Sequence, residues 1–196
     1  MLYQIPKKDL ATAASVLSSA FSDYPIFNYV LPPSPRRQAK LEYIFAFILK
    51  LGMRKGEVLA PNSRIEGVSI WIPPVHGRTS LLDALKSGLF SLGLKLGAKS
   101  LRRFIEIQKC KQKARTPIFP PASYFLDTIG VAPRHQGRGV AGAMLKSKLE
   151  ILDKQKKPCY LETCDKNNLA FYGKFGFRLI HQYKLITMDV FCLYRS

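Results

Sequence analysis

Tyr124-Phe-Leu-Asp-Thr-Ile-Gly-Val-Ala-Pro-Arg-His-Gln-Gly-Arg-Gly-Val-Ala-Gly-Ala-Met-Leu145 decides how this chain folds. Residues 123–131 are apolar and β-prone and read as a strand, residues 133–139 as a glycine-containing loop, and residues 140 to about 155 as a helix. Gly137 and Gly139 let the backbone take unusual φ values and approach a ligand closely. The first amides of the following helix have no intrahelical acceptor. With the helix dipole they form an anion site suited to a pyrophosphate, and Arg134 and Arg138 add positive charge beside it.

Spacing alone leaves the ligand open. The loop lacks the G-x-x-x-x-G-K-[ST] pattern of a Walker loop. Gly137, Gly139 and Gly142 do fit G-x-G-x-x-G, and Glu162 stands about 20 residues further on, as a dinucleotide-binding unit requires.

Working outward, residues 158–164 read as an apolar strand and 168–175 as a short helix with Gly176 as terminator; 177–184 and 185–193 are β-prone. Upstream, 2–5 suits a short strand. Residues 7–21 suit a helix, with Leu10, Ala13, Ala14 and Leu17 at helical spacing. A proline- and aromatic-rich turn follows, then a helix over about 36–51 with Gly52 near its end. Strands are expected at 57–60 and 67–72, and helical pieces over 81–113, broken near Gly88, Gly93 and Gly97. The order implies an α/β chain with a mixed sheet and helices on both faces.

The 196 residues suit a single domain over 1–196, with the informative core at about 120–180 and a helical insert at about 81–115. Hydrophobic residues make up 47%, enough for a packed core. Thirty-one basic residues against 13 acidic ones give a net charge of +18, which attracts anions. Nine basic residues and one acid, Glu106, lie in 86–115 among apolar residues, a pattern open to the anionic cofactor, an acidic membrane surface or nucleic acid. No secretory signal stands at the N-terminus. The most apolar stretch, 81–97, is interrupted by Asp83, Lys86 and Lys95, so no membrane span is expected. Cys110, Cys159, Cys164 and Cys192 form no C-x-x-C pair, so no metal is expected, and the cysteines read as reduced residues of a cytoplasmic protein.

Two motifs carry a family resemblance. Arg134-His-Gln-Gly-Arg-Gly139 resembles the R/Q-x-x-G-x-G/A acyl-CoA loop of the GNAT N-acetyltransferase superfamily. Asn168-Leu-Ala-Phe-Tyr-Gly-Lys-Phe-Gly-Phe177 is similar to the same family's later helix, which ends in F/Y-Y-x-x-x-G-F. Tyr124 to Gly137 and Leu161-Glu-Thr163 also resemble the branch containing puromycin N-acetyltransferase. The resemblance implies a largely antiparallel sheet of about six or seven strands. It implies acetyl-CoA-dependent transfer to a primary amine of a small molecule or peptide, by direct attack in a ternary complex without an acyl-enzyme. It places the pantetheine arm of coenzyme A along Ile129, Gly130 and Val131, and the pyrophosphate on Gln136, Gly137, Arg138, Gly139, Val140 and Ala141. Arg134 would meet the adenosine or its 3′-phosphate. Asn168 would cap its helix and reach the cofactor. Tyr172 would lie near the thioester sulfur and, with an ordinary pKa of about 10, protonate the leaving thiolate.

Two carboxylates compete as the base that takes a proton from the acceptor ammonium. Glu162 sits in an apolar strand, where a buried carboxylate needs a reason to be there. Asp127 lies mid-strand and by strict alternation shares a face with Phe125, Ile129 and Val131. Phe21, Tyr24, Phe27 and Tyr29 are candidate walls for the acceptor, and His76 a candidate contact. The alternatives to a small-molecule or peptide acetyltransferase are an enzyme acetylating aminoacyl-tRNA and a non-catalytic acyl-CoA- or nucleic-acid-binding module.

Overall fold

A computed structural model describes residues 2–74, 80–120 and 122–196; His76 lies outside them. Seven strands form one sheet in the order β1-β2-β3-β4-β5-β7-β6. They are β1 (Tyr3–Gln4), β2 (Glu57–Ala60), β3 (Gly67–Ile72), β4 (Tyr124–Val131), β5 (Cys159–Thr163), β6 (Arg178–Leu185) and β7 (Met188–Arg195). Every pairing is antiparallel except β4 with β5, which is parallel. The mixed, largely antiparallel sheet agrees with the expected class.

Helices cover both faces. On one lie α1 (Leu10–Ala20), α2 (Pro25–Val30), α3 (Arg37–Lys55), α5 (Leu89–Leu96) and α6 (Ala98–Arg115), with α4 (Leu81–Lys86) beside α3. Their buried residues, among them Leu17, Phe27, Phe45 and Phe104, meet Val68, Ile70 and Phe125 of the sheet. On the other face, α7 (Val140–Lys154) brings Leu145, Leu149 and Leu152, and α8 (Asn168–Gly173) brings Tyr172, against Trp71, Leu126 and Leu161. The sheet is thus buried on both sides around β3, β4 and β5, which makes their backbone a rigid support.

Three local expectations change. The helix expected to stop near residue 51 runs on to Lys55, with Gly52 inside it. A Cβ at Gly52 would come within 2.7 Å of the Ile70 side chain, so this glycine serves helix–sheet contact rather than termination. The helical insert breaks at Gly88 and Gly97, both at positive φ, whereas Gly93 stays inside α5. Asn168 is the first residue of α8 and not its cap: Asp165 accepts the amide of Asn167, and Asn168 turns back to donate to the Thr163 hydroxyl at 3.0 Å.

Candidate active site

The site begins where the parallel pair comes apart. Strands β4 and β5 are in register at Tyr124/Cys159, Phe125/Tyr160 and Leu126/Leu161. Beyond these, β4 continues to Val131 paired only with β3, and β5 continues to Thr163 paired only with β7. The facing edges therefore carry backbone amides and carbonyls with no strand opposite, a place an extended ligand can fill as an added strand.

A bulge causes the parting. Ile70 pairs with Thr128, but the next residue, Trp71, pairs with Leu126, so Asp127 is the extra residue on β4. An extra residue bends a strand and increases its twist, which turns the end of β4 away from β5. The bulge also overturns the alternation expected along this strand. Phe125 packs with the α1 and α3 core, while Ile129 packs on the α7 side, so the two do not share a face. Asp127 itself is exposed at the mouth of the gap, and its carboxylate accepts the Thr128 hydroxyl at 3.0 Å.

Both rims of the gap are pinned. A Cβ at Gly130 would approach the Phe21 ring to 2.8 Å and Leu17 to 3.0 Å, so the missing side chain lets α1 lie directly on β4. At the end of β5, the Cys164 amide donates to the Tyr24 hydroxyl at 2.6 Å, and Thr163 Oγ1 accepts from the Asp165 amide and from Asn168. A cavity of about 520 Å3 opens here, lined by Ser19, Tyr24, Pro133, Gln136, Cys164 and Asp165 among others.

The loop beyond β4 has the form its sequence demands. Pro133–His135 makes one 3-10 turn, Gly137 (φ 72°) and Gly139 (φ 79°) are left-handed, and α7 starts at Val140 with no side chain capping it. Arg134, Arg138, Gly137 and Gly139 are exposed. Gln136 reaches back to donate to the Val131 carbonyl at 2.9 Å, fixing the loop on the strand end. An uncapped helix start beside two exposed guanidinium groups can bind a diphosphate.

Tyr172 is buried and stacks edge-on with Phe171 and Phe177. Burial, with the nearby Cys159, raises its pKa well above the ordinary tyrosine value. Its ring belongs to the core on the α7 side of the sheet, with Leu126, Cys159 and Leu161. At neutral pH it is a protonated hydroxyl, able to give a proton and not to take one.

The two candidate carboxylates occupy opposite environments. The Glu162 side chain is only 2% exposed. Arg115 at the end of α6 grips both of its oxygens at 2.7 Å, Tyr160 donates to it at 3.0 Å, and Lys111 lies at 3.5 Å. Burial alone would push this carboxyl up, but the Arg115 charge and hydrogen bonds, with Lys111 and Tyr160, outweigh it and hold the pKa at about 2. Arg115 also lies over the Phe125 ring, 4.1 Å from its centre. Asp127 has no such clamp.

Arg115 and Lys111 were not among the site residues expected from sequence. The one signal was indirect: a carboxylate in an apolar strand needs a cation, and nothing in the sequence says which of many supplies it. Of the aromatic residues expected as acceptor walls, Tyr24 lines the cavity. Phe21 and Phe27 pack with Phe45, and Tyr29 donates to Glu106 of α6. The thiols fit a packing role: burial pushes Cys159 to about 12 and Cys192 to about 11. Among the described residues no cluster of three metal-ligating side chains occurs, and no helix is long and apolar enough to cross a membrane.

A sheet parted in mid-strand beside an uncapped helix start is the setting in which the likenesses to known proteins stand. A family model for an acetyltransferase (GNAT) domain matches residues 103–179. The chain is 27% identical over 180 residues to an uncharacterized N-acetyltransferase of Schizosaccharomyces pombe, across 89% of this chain and 72% of that protein. A solved structure described as histone acetyltransferase HPA2 and related acetyltransferase, from Corynebacterium glutamicum, shares the fold with a TM-score of 0.67 at 18% identity, over 100% of this chain and 95% of that one. An N-acetyltransferase from Staphylococcus aureus does so with a TM-score of 0.58 at 19% identity, over 99% of each chain. The family model thus matches the stretch from α6 to the start of β6, and the solved structures share the fold of the whole chain.

Proposed function

We propose that this chain is an acetyl-CoA-dependent N-acetyltransferase, one domain over 1–196, acting in the cytoplasm on a primary amine of a small molecule or peptide. The observation that carries the reading is the parting of β4 from β5 after Leu126 and Leu161, directly beside the uncapped start of α7. These features fit coenzyme A. The open strand edge suits an amide-bearing arm, and the α7 amides suit a diphosphate. The spaces where a Cβ would stand on Gly137 and Gly139 are empty to 4 Å.

Bound acetyl-CoA supplies a thioester, an acyl group already activated toward an amine. The backbone of Ile129, Gly130 and Val131 binds and orients the extended arm. Amides from Gln136 through Ala141, with Arg134 and Arg138, hold the phosphates, and Asn168 supports the rim through Thr163. Asp127 takes the proton from the acceptor ammonium so that the amine can attack directly. Tyr172 Oη gives its proton to the departing sulfur. Glu162 is a positioning residue: its carboxylate is committed to Arg115 and fixes the last turn of α6 over the gap. No acyl-enzyme is needed, since burial keeps the Cys159 and Cys164 thiols protonated. The finer likeness to the puromycin acetyltransferase branch rests on the strand-loop from Tyr124 to Gly137.

The test is thiol release from acetyl-CoA across a panel of amines, with the product read by mass. Tyr172→Phe keeps the packed ring and is expected to lower turnover about a hundredfold with coenzyme A affinity unchanged. Absence of release with every amine tested would favour a non-catalytic acyl-CoA-binding module.

A further inference from the structure

An exposed apolar group lies on α4 and α5, neither of which lines the gap between β4 and β5. Leu81, Leu82, Leu85, Phe90 and Leu94 are 49–75% exposed, half of all the large exposed hydrophobic residues among the described ones. Helical geometry groups these residues on one side of each helix, and the two helices are in contact. In α5, Leu92 and Leu96 turn into the core, while Phe90 and Leu94, one turn apart, point away from it. In α4, Leu81 and Leu85 have the same spacing, and the helix buries no residue at all. A globular protein rarely displays such a group without a use for it.

The polar residues around the patch share one sign. Lys86 and Lys95 are exposed on the two helices, and Lys50 and Arg54 are exposed on α3. Tyr43, Lys50 and Arg54 are spaced to form one outward stripe of α3. Lys95 lies 5.3 Å from the centre of the Tyr43 ring, and the Arg54 charge bears on Asp83 of α4, so the stripe runs alongside both short helices. The one acid of these helices, Asp83, is partly exposed but engaged: it closes a capping box with Ser80 and lies 3.9 Å from Lys55. What faces out is an apolar centre, a half-exposed tyrosine and a basic rim, with the one acid of the two helices held by its own cap and by Lys55.

We propose that α4 and α5 form a surface that docks on an anionic phospholipid bilayer, with the leucines and Phe90 entering the headgroup boundary and Lys50, Arg54, Lys86 and Lys95 meeting lipid phosphates. An apolar face rimmed by lysine and arginine is the pattern of an interfacial membrane helix. Charge selects this occupant: a chain of net charge +18 is drawn to a negative surface. RNA would satisfy the cations and leave five apolar side chains in water.

The experiment is sedimentation of the full chain with vesicles of phosphatidylcholine alone or with about 30 mol% phosphatidylserine. Phe90→Ser/Leu94→Ser and Lys86→Gln/Lys95→Gln are compared with the parent, and thermal unfolding reports whether each variant is folded. The parent is expected to bind the phosphatidylserine vesicles and not the neutral ones. Each double variant is expected to unfold at the parent's temperature and to bind about tenfold more weakly. Lack of binding by the parent overturns the proposal. So does binding that Phe90→Ser/Leu94→Ser leaves intact, or that a single-stranded RNA abolishes while itself binding both forms equally: the patch would then have no part in it. A dimer in solution that Phe90→Ser/Leu94→Ser dissociates, without vesicle binding, would assign the patch to a second copy of this chain and also overturn the proposal.

Discussion

At the α7 end of the gap the protein presents backbone amides, two left-handed glycines and exposed arginines. At the Glu162 end it presents side-chain charges that already neutralise one another. The first end is electrostatically unfinished and ready for an anion. The second is complete, with a carboxylate gripped at two points by an arginine from a helix 47 residues earlier in the chain. An unsatisfied group points to a ligand, whereas a satisfied buried ion pair points to architecture. By that distinction we assign the proposed chemical role to Asp127, exposed at the bulge with the Thr128 hydroxyl bonded to it, and the architectural role to Glu162.

The largest expected effect separates the two carboxylates. Asp127→Asn should lower turnover about 10²- to 10³-fold, with coenzyme A affinity and unfolding temperature unchanged. Glu162→Gln should do the reverse, leaving most of the turnover and lowering the unfolding temperature, because Arg115 and Lys111 lose their counter-charge. An active Asp127→Asn beside a folded, inactive Glu162→Gln would exchange the roles.

Next comes the ion pair itself. Arg115→Gln leaves Glu162 buried with Lys111 as its remaining cation and Tyr160 as its remaining donor, and should cost about 3 kcal/mol at neutral pH. The pH dependence has a definite sign. The Glu162 carboxyl is held at about 2 against an ordinary 4.5, so its contribution is full above the unfolded value and fades as pH falls toward 2. Denaturant unfolding of parent and variant should therefore differ most near neutrality, draw together as pH falls below about 4.5 and converge only below about pH 2. A constant difference across that range would mean the charge is not what stabilises this end.

The smallest effect belongs to the open end. Gly139→Ala forces a left-handed φ of 79° on a residue with a side chain. This costs about 1 kcal/mol. Coenzyme A affinity, read by calorimetry, should fall about tenfold or less, because the amides that hold the phosphates shift with the loop.

The same contrast explains what could be read from the sequence. The open end is local: strand, glycines, helix start and arginines lie within one continuous stretch, and backbone chemistry there leaves its mark in residue type. So residues 124–145 foretold the strand, the loop and the helix as they stand. The closed end depends on which distant cation reaches Glu162, and nine basic residues in 86–115 were equally eligible. The bulge at Asp127 also left no mark, since strand alternation reads the same with or without one extra residue until pairing partners are known. Gly52 misled for a related reason: a glycine that ends a helix and one that admits a neighbouring strand look alike before packing is seen.

In the proposed function, the gap between β4 and β5, with the start of α7, receives coenzyme A. Amide hydrogen exchange measured residue by residue, with and without coenzyme A, tests it most directly. Slowed exchange at Ile129 and Val131 and across Gly137 to Ala141, with β1 and β2 unchanged, is the predicted result. Unchanged exchange at those amides, with coenzyme A shown to be bound, would contradict it.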